Sequence, residues 1–226
     1  MLSSYVLAAV VQTGNVKPIR SMLFAFHASG QTEGISHYGG IETGLPGVST
    51  NYSLGGYDGT IAVDVLALGP EKSLVLRITQ SVPLAHSLDV PAGECAVYPD
   101  GQVKFDPGAV KFSTPELTLT RFLGRTFVNA DAMDDKNHWA VDLATGRVNV
   151  RSDFTVTSNN NGVVSIDEKR VLKDGNDESD TTGRISYDIK RMVPLSIHEE
   201  SVEIYGSGSV RTGVDYTLKA DSLAPR

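Results

Sequence analysis

The stretch RVNVRSDFTVT, residues 147–157, decides the fold class of this 226-residue chain. Its apolar and polar residues alternate with a period of two, and the apolar ones are Val148, Val150, Phe154 and Val156. A β-strand with one buried face and one solvated face produces this alternation, whereas a helix does not. The pattern returns in residues 184–190 and 209–219, so the last third of the chain is predicted to be a meander of long antiparallel strands.

Six strands are predicted in this meander, at 138–143, 147–157, 163–172, 184–190, 200–205 and 209–219. The alternation also predicts which side chains share the dry face of the sheet. They are Val148, Val150, Phe154, Val156, Ile185, Tyr187, Ile189, Val210, Val214, Tyr216 and Leu218. Trp139, the only tryptophan, stands at the start of the meander, and we expect it to be buried.

The first half of the chain is predicted to contain further strands and an unusual glycine-rich segment. The strands are expected at 19–28, 60–68, 73–80, 94–98 and 102–105. Residues 30–59 hold nine glycines and three tyrosines, a composition that weakens regular structure. We expect this segment to be a long irregular loop or a distorted hairpin. No break in composition marks a linker, so residues 1–226 are predicted to form a single domain.

Two short amphipathic helices are predicted. The first begins near residue 4, carries Val6 and Val10 on its apolar face and is ended by Gly14. The second opens with the capping box Ser113-Thr-Pro-Glu116. Its apolar face consists of Leu119, Phe122 and Leu123. Each helix has one apolar stripe and therefore requires another apolar surface to pack against.

Charge and composition exclude several classes of protein. The chain has 20 basic and 27 acidic residues and a formal net charge of −7, and its basic residues form no run in the sequence. This balance argues against nucleic acid or an anionic membrane as a partner, because both require a cationic face; a local basic patch stays open, although the sequence predicts none. No apolar run approaches the ~20 residues of a transmembrane helix. Cys95 is the only cysteine, so no disulfide within the chain is expected.

No catalytic or metal-binding motif is recognisable. The five histidines have no spacing that would place two imidazoles on one face, and neither a nucleophile elbow nor a phosphate-binding loop is present. The acidic segment Asp174–Asp180, within a predicted loop at 173–183, departs from the helix-flanked calcium loop, and a solvated hairpin tip is the preferred interpretation. We therefore assign no catalytic residue, no metal and no cofactor. A carboxylate pair or a metal site brought together by the fold stays open, and so does calcium binding by the acidic segment.

The order of the predicted elements resembles that of the periplasmic lipoprotein-carrier family, LolA and LolB, and of related lipid-carrying lipoproteins. The shared outline is an N-terminal amphipathic helix, a strand that carries Phe24 and Phe26, hairpins, one capped helix and a long meander. The chain also resembles uncharacterised secreted bacterial proteins of similar size. The resemblance implies a mainly β fold, in which a strongly curved antiparallel sheet forms a half-barrel and two short helices pack on its concave side.

The same resemblance implies an extracytoplasmic protein that holds an acyl chain or another hydrophobic ligand between sheet and helices. The N-terminus lacks a basic residue before its apolar stretch and is not a signal peptide. A periplasmic or secreted location therefore requires that the signal was removed, and a cytoplasmic location is the alternative. The oligomeric state stays open. The expected lining of the ligand cavity is Val6, Val10, Phe24, Phe26, Leu119, Phe122 and Leu123.

Two other functions compete with the carrier. The first is a structural or protein-interaction domain with a filled core and no ligand. The second, ranked third overall, is a hydrolase with an unrecognised carboxylate site. A cavity between helix and sheet would favour the carrier, whereas complete packing of the helices on the sheet would favour the interaction domain.

Overall fold

An antiparallel sheet is the framework of the protein. The computed structural model describes residues 17–36, 48–82, 93–99, 101–105, 112–124, 136–145, 148–174, 177–205 and 208–223. Within these ranges the chain forms eleven strands and one α-helix. The strands are β1 Arg20–Ser36, β2 Val48–Leu68, β3 Leu74–Ser81, β4 Gly93–Val97, β5 Val103–Phe105, β6 His138–Thr145, β7 Val148–Asn160, β8 Val163–Asp174, β9 Asp177–Asp188, β10 Val193–Tyr205 and β11 Gly208–Asp221. The helix, α1, is Thr114–Gly124.

The strand order is β5-β4-β3-β2-β1-β11-β10-β9-β8-β7-β6, in one sheet. The first and last strands of the chain pair with each other in the middle of the sheet, and α1 belongs to the connection between its two edges, β5 and β6. Among the described strands no pairing joins β5 to β6, so the sheet is open. The predicted class, mainly β with one large antiparallel sheet, is confirmed, and so is the second predicted helix. The first predicted helix, with Val6 and Val10, lies outside the described residues.

Strands β1 and β2 extend into the glycine-rich segment and remain paired from Arg20 and Val65 out to Ser36 and Val48. The register shifts once, near Gly55, whose φ of +75° suits glycine. Glycine supports a strand here because the missing side chains leave room for neighbouring rings. A Cβ on Gly59, for example, would lie 2.5 Å from the ring of Phe26. Residues 37–47 lie outside the described part of the chain.

The prediction of an acidic loop over residues 173–183 was wrong. Strand β9 begins at Asp177, which pairs with Asp174, so only residues 175–176 separate β8 from β9. Inside β9 the buried Thr181 and Gly183 alternate with exposed residues such as Asp180. The second part of β9 lies in the predicted strand 184–190, whereas its first part was missed because the inward positions there carry a small polar residue and a glycine instead of aliphatic side chains. Over the described residues, no group of three or more His, Cys, Asp or Glu side chains is placed to hold a metal ion.

The dry face predicted from the meander is confirmed, since none of its eleven side chains is exposed. The members in the buried core are Phe154, Ile185, Tyr187, Val214 and Tyr216. Trp139 is 4% exposed and stacks on Phe154, with ring centroids 5.2 Å apart, so its predicted burial is also confirmed. Cys95 is buried in β4.

Helix α1 packs on the same face of the sheet. Its N-terminus has the predicted capping box, in which the backbone N–H of Ser113 donates to Oε2 of Glu116 at 2.7 Å. The hydroxyl of Tyr216, from β11, donates to the carbonyl oxygen of Pro115 at 2.8 Å and attaches the helix to the centre of the sheet. Leu119 and Phe122 are fully buried beneath it. No helix in the described ranges is long and apolar enough to cross a membrane.

Candidate functional site: an apolar cavity with a polar corner

A cavity of about 340 Å³ lies beside helix α1. Its walls come from the β4–β5 hairpin, from α1 and from strands β6 to β8. Most of the lining side chains are aliphatic or aromatic: Val103, Phe105, Leu117, Val141, Leu143, Val148, Val150 and Leu172. Such walls offer water few hydrogen-bonding partners, so the cavity favours an apolar occupant.

The two edges of the sheet meet at this cavity. Val103 and Phe105 belong to edge strand β5, whereas Val141 and Leu143 belong to edge strand β6. These strands stand at opposite ends of an eleven-strand order, yet they line the same space. The sheet therefore curves far enough for its two edge strands to face each other across the cavity. Helix α1 lies in part of the gap between them.

A polar corner interrupts the apolar wall on β7 and β8. Ser152 and Arg170 are register partners on these two strands, and both face the cavity. Arg170 is 8% exposed, and its Nη2 donates to Oε1 of Glu199 at 2.7 Å and to Oγ1 of Thr181 at 3.3 Å. Burial would lower the pKa of the Arg170 guanidinium, but Glu199 and Glu168 outweigh it and raise the pKa, so the group stays charged.

Gly183 makes room for this charged cluster. It lies on β9 between Glu168 of β8 and Glu199 of β10, as the register partner of both. A Cβ at this position would come within 3.3 Å of both Cβ and Oε2 of Glu168. Because glycine has no side chain, two carboxylates from flanking strands can approach the same guanidinium, that of Arg170.

Ser152 has the most telling environment in the cavity wall. The residue is 1% exposed, and its Oγ has no hydrogen-bond partner among the described residues. A buried hydroxyl without a partner costs roughly 1–3 kcal/mol relative to a satisfied one. Since the side chain faces the cavity, a polar group of a bound molecule is well placed to complete it.

Five of the seven residues predicted to line a ligand cavity lie in the described part of the chain. Phe24, Phe26, Leu119 and Phe122 are together in the buried hydrophobic core, and Leu123 packs against it. The cavity described above is lined by other residues, with Leu117 and Arg121 as the contribution of α1. One face of the helix therefore fills the core, and a neighbouring face borders the open space.

The polar corner was missed by sequence reasoning. Residues 167–170 read Asp-Glu-Lys-Arg, a run of charges typical of a solvated strand face. The signal that could have found it is the alternation itself. Val164 and Ile166 point inward, and every second residue of a strand faces the same side, so Glu168 and Arg170 point inward too.

Comparison with known proteins bears on the fold. No protein-family model and no curated protein matches this chain. Among solved structures, the chain is similar to lipovitellin, in a structure described for its lipid–protein interactions. The match has a TM-score of 0.51 at 11% sequence identity and covers 93% of this chain but 26% of the lipovitellin chain. This chain thus spans about a quarter of that protein. At this identity the similarity shows the fold alone.

Proposed function

We propose that this protein binds a single-chain lipid in the cavity beside α1, with the acyl chain against the apolar walls and the head group at Ser152 and Arg170. The observation that carries the proposal is the buried Ser152 hydroxyl, which faces an apolar cavity without a partner among the described residues. The similarity to lipovitellin, whose structure was described for lipid–protein interactions, supports a lipid as the class of ligand.

The size of the cavity favours one acyl chain. Ligand pockets in proteins usually measure about 300–1,000 Å³, and this cavity of about 340 Å³ is at the lower end of that range. Two chains of a membrane phospholipid would require more space. A fatty acid or a lysolipid is therefore a better match than a two-chain lipid.

The polar corner favours a head group with oxygen acceptors. Arg121 and Arg170 both border the cavity, and guanidinium groups only donate hydrogen bonds. On Arg170, Nη2 is engaged by Glu199, whereas Nη1 is 3.7 Å from Glu168, beyond hydrogen-bond distance. A carboxylate, ester or phosphate oxygen would accept from Nη1 and from the Ser152 hydroxyl at the same time.

Titration with parinaric acid, a fatty acid that fluoresces in apolar sites, tests the proposal. The wild-type protein should bind the probe, and oleate should displace it. Val150→Trp places a large side chain in the cavity and should weaken binding by about tenfold or more. Val171→Trp, one residue from the polar corner but on the other face of the sheet, is the matched control and should bind as the wild type does. Equal binding by all three proteins would contradict the assigned site.

Native mass spectrometry of the protein as purified gives a second readout. A mass increment that equals one single-chain lipid, absent from Val150→Trp, is the expected result. The resemblance to periplasmic carriers supports an extracytoplasmic setting, in the periplasm or outside the cell, and this is part of the proposal.

An interaction domain without a ligand is the second candidate. The observation that favours it is the complete burial of Leu119 and Phe122. These side chains leave no space for a ligand where this face of the helix packs on the sheet. A protein without bound lipid and without uptake of parinaric acid would support this candidate.

A further inference from the structure

One rim of the sheet carries exposed apolar side chains on four neighbouring strands. Leu68 ends β2, Ile19 precedes β1, Leu223 follows β11 and Met192 precedes β10, and these strands are adjacent in the order β2-β1-β11-β10. Their exposed fractions are 75%, 60%, 57% and 66%. Single exposed apolar residues are common in proteins, whereas apolar residues gathered on four adjacent strand ends point to a contact surface. We call these four residues the apolar rim.

Hydrogen bonds fix the backbone at or beside three members of the apolar rim. The backbone N–H of Ile19 donates to the carbonyl oxygen of Val65 at 2.8 Å, which fixes it against β2. The Arg20 side chain donates to the carbonyl oxygen of Arg191 at 2.9 Å, beside Met192. The backbone N–H of Leu223 donates to Oδ1 of Asp221 at 3.1 Å. Leu68 is itself the last residue of β2, so all four residues lie at strand ends and not in a long loop.

The charge of this rim is opposite to that of the protein. Over residues 17–20, 68–72, 188–192 and 221–223, five side chains are basic and three are acidic, for a net charge of +2 on a chain of −7. Asp221 is paired with two of the basic residues, Arg20 and Arg191. The remaining three are lysines, all exposed: Lys17, Lys72 and Lys190. The strand ends gather these lysines, which is why the linear sequence shows no basic run.

We infer that the apolar rim docks onto an anionic lipid surface, with its four apolar side chains in the interface and its lysines at the head groups. Exposed apolar side chains surrounded by lysine are the combination by which peripheral proteins bind such surfaces. The inference concerns a different surface from the proposed cavity and does not depend on it. The β4–β5 turn, which supplies Gly101 and Gln102 to the cavity wall, lies on the same rim of the sheet.

Co-sedimentation with vesicles tests the inference. The wild-type protein should bind vesicles of phosphatidylcholine mixed with phosphatidylglycerol. It should bind vesicles of phosphatidylcholine alone much more weakly. Added salt should weaken binding, because it screens exposed charges. Absence of binding to the mixed vesicles, or equal binding to both kinds, would overturn the inference and leave a protein partner as the occupant of the rim.

Two pairs of variants separate the rim from the rest of the surface. Met192→Ser combined with Leu223→Ser should weaken vesicle binding by about tenfold. Ile204→Ser is the control for the apolar change, because Ile204 is 58% exposed at the opposite rim. Likewise Lys190→Glu should weaken binding, whereas Lys169→Glu, in the middle of β8, should not. Equal effects of rim and control variants would contradict the assignment.

Two further measurements distinguish docking by the apolar rim from membrane binding by the N-terminal segment and from lipid binding in the cavity. Residues 1–14 include an apolar stretch, and a variant without them should still bind vesicles. Loss of binding in that variant alone, with its folding intact by circular dichroism, would assign the contact to the N-terminal segment and overturn the inference. The rim variants should keep parinaric acid binding, and Val150→Trp should keep vesicle binding, so each hypothesis can fail without the other.

Discussion

Asp221 has a fully buried carboxylate that receives hydrogen bonds from two arginines. Nη2 of Arg20 donates to its Oδ2 at 2.7 Å and Nε of the same residue donates to its Oδ1 at 2.9 Å, while Arg191 approaches from the β9–β10 turn. These contacts join β1, β11 and the turn before β10 at one rim. Burial alone would raise the pKa of Asp221, but the hydrogen bonds from Arg20 and Arg191 outweigh it and hold the pKa well below its usual range.

A depressed carboxyl pKa makes a prediction about acid stability. Asp221 contributes stability above its unfolded pKa, about 3.9, and this contribution is lost as pH falls toward its folded pKa. We expect the free energy of unfolding to decrease below about pH 4, and Asp221→Asn to remove part of that decrease. Urea unfolding at neutral and acidic pH measures both. Asp180→Asn, at an exposed position, is the control, and an unchanged pH dependence in Asp221→Asn would contradict the prediction.

Arg170 shows what sequence can and cannot establish about a single residue. The alternation predicts the strand and, followed strictly, also the inward direction of this side chain. It does not reveal that Gly183 and Thr181 lie across from Glu168 and Arg170 and leave space for charge. A charge is normally interpreted as solvated because burial is costly unless partners are present. Those partners come from β9 and β10, so only the register of the sheet identifies them.

At the scale of the element, the N-terminus of α1 is the feature that the sequence predicts most completely. The Ser113–Glu116 capping box is formed, and the Ser113 hydroxyl also hydrogen bonds with Gln80 of β3. Ser113→Ala should therefore cost about 1–2 kcal/mol of unfolding free energy, the upper part of the range for N-cap residues. Thr114→Ala, at the exposed next position, should cost little. Urea unfolding measures both, and equal losses would contradict a specific role for the cap.

Strand β7 is the element on which the fold assignment depends, and Phe154 is its central contact. The side chain is 1% exposed and stacks on Trp139 of the edge strand β6. Phe154→Ala should cost about 3–5 kcal/mol in thermal or urea unfolding and shift the Trp139 fluorescence to longer wavelength. Thr157→Ala, on the exposed side of the same strand, is the control. A small loss for Phe154→Ala would mean that this face is not well packed.

The long strands β1 and β2 show why sequence patterns underestimate elements in the centre of a sheet. Alternation of apolar side chains ends near Ala28, and the predicted strand ended there too. The observed strand continues to Ser36, since its backbone groups pair with β2 on one side and β11 on the other. Backbone pairing does not require apolar side chains, so no pattern in the sequence announces it.

A row of basic and acidic side chains crosses the solvent-facing side of five neighbouring strands. In register order it runs through Arg184, His198, Asp215, His27 and Asp58. His198 and His27 contact Asp215 and Asp58 through their Nδ1 atoms, at 2.6 and 2.9 Å. These two hydrogen-bonded pairs between register partners favour the observed register, because a shift of one position would break both of them.

The whole molecule combines two halves through the pairing of β1 with β11. This pairing joins residues about 200 positions apart, such as Met22 and Asp221. The centre of the sheet therefore forms only when β1 and β11 pair. The two edge strands, β5 and β6, face the cavity. The sequence predicts the strands of each half, but not which strands meet in the middle or that the two edges share one cavity, because both depend on long-range pairing.

The position of the cavity between the two edge strands predicts which segments a bound ligand protects from amide hydrogen exchange. In the free protein, edge strands β5 and β6 should exchange their amide hydrogens faster than the central strands, because each has one unpaired side in the sheet. Saturation with oleate should slow exchange at residues 103–105, 117–121, 141–143 and 148–150 together, since these segments border the same space. Hydrogen exchange followed by mass spectrometry measures this pattern, and Val150→Trp should show none of it. Slower exchange confined to β1 and β2, around Phe24 and Phe26, would instead place the ligand in the core beneath α1 and contradict a site between the edges.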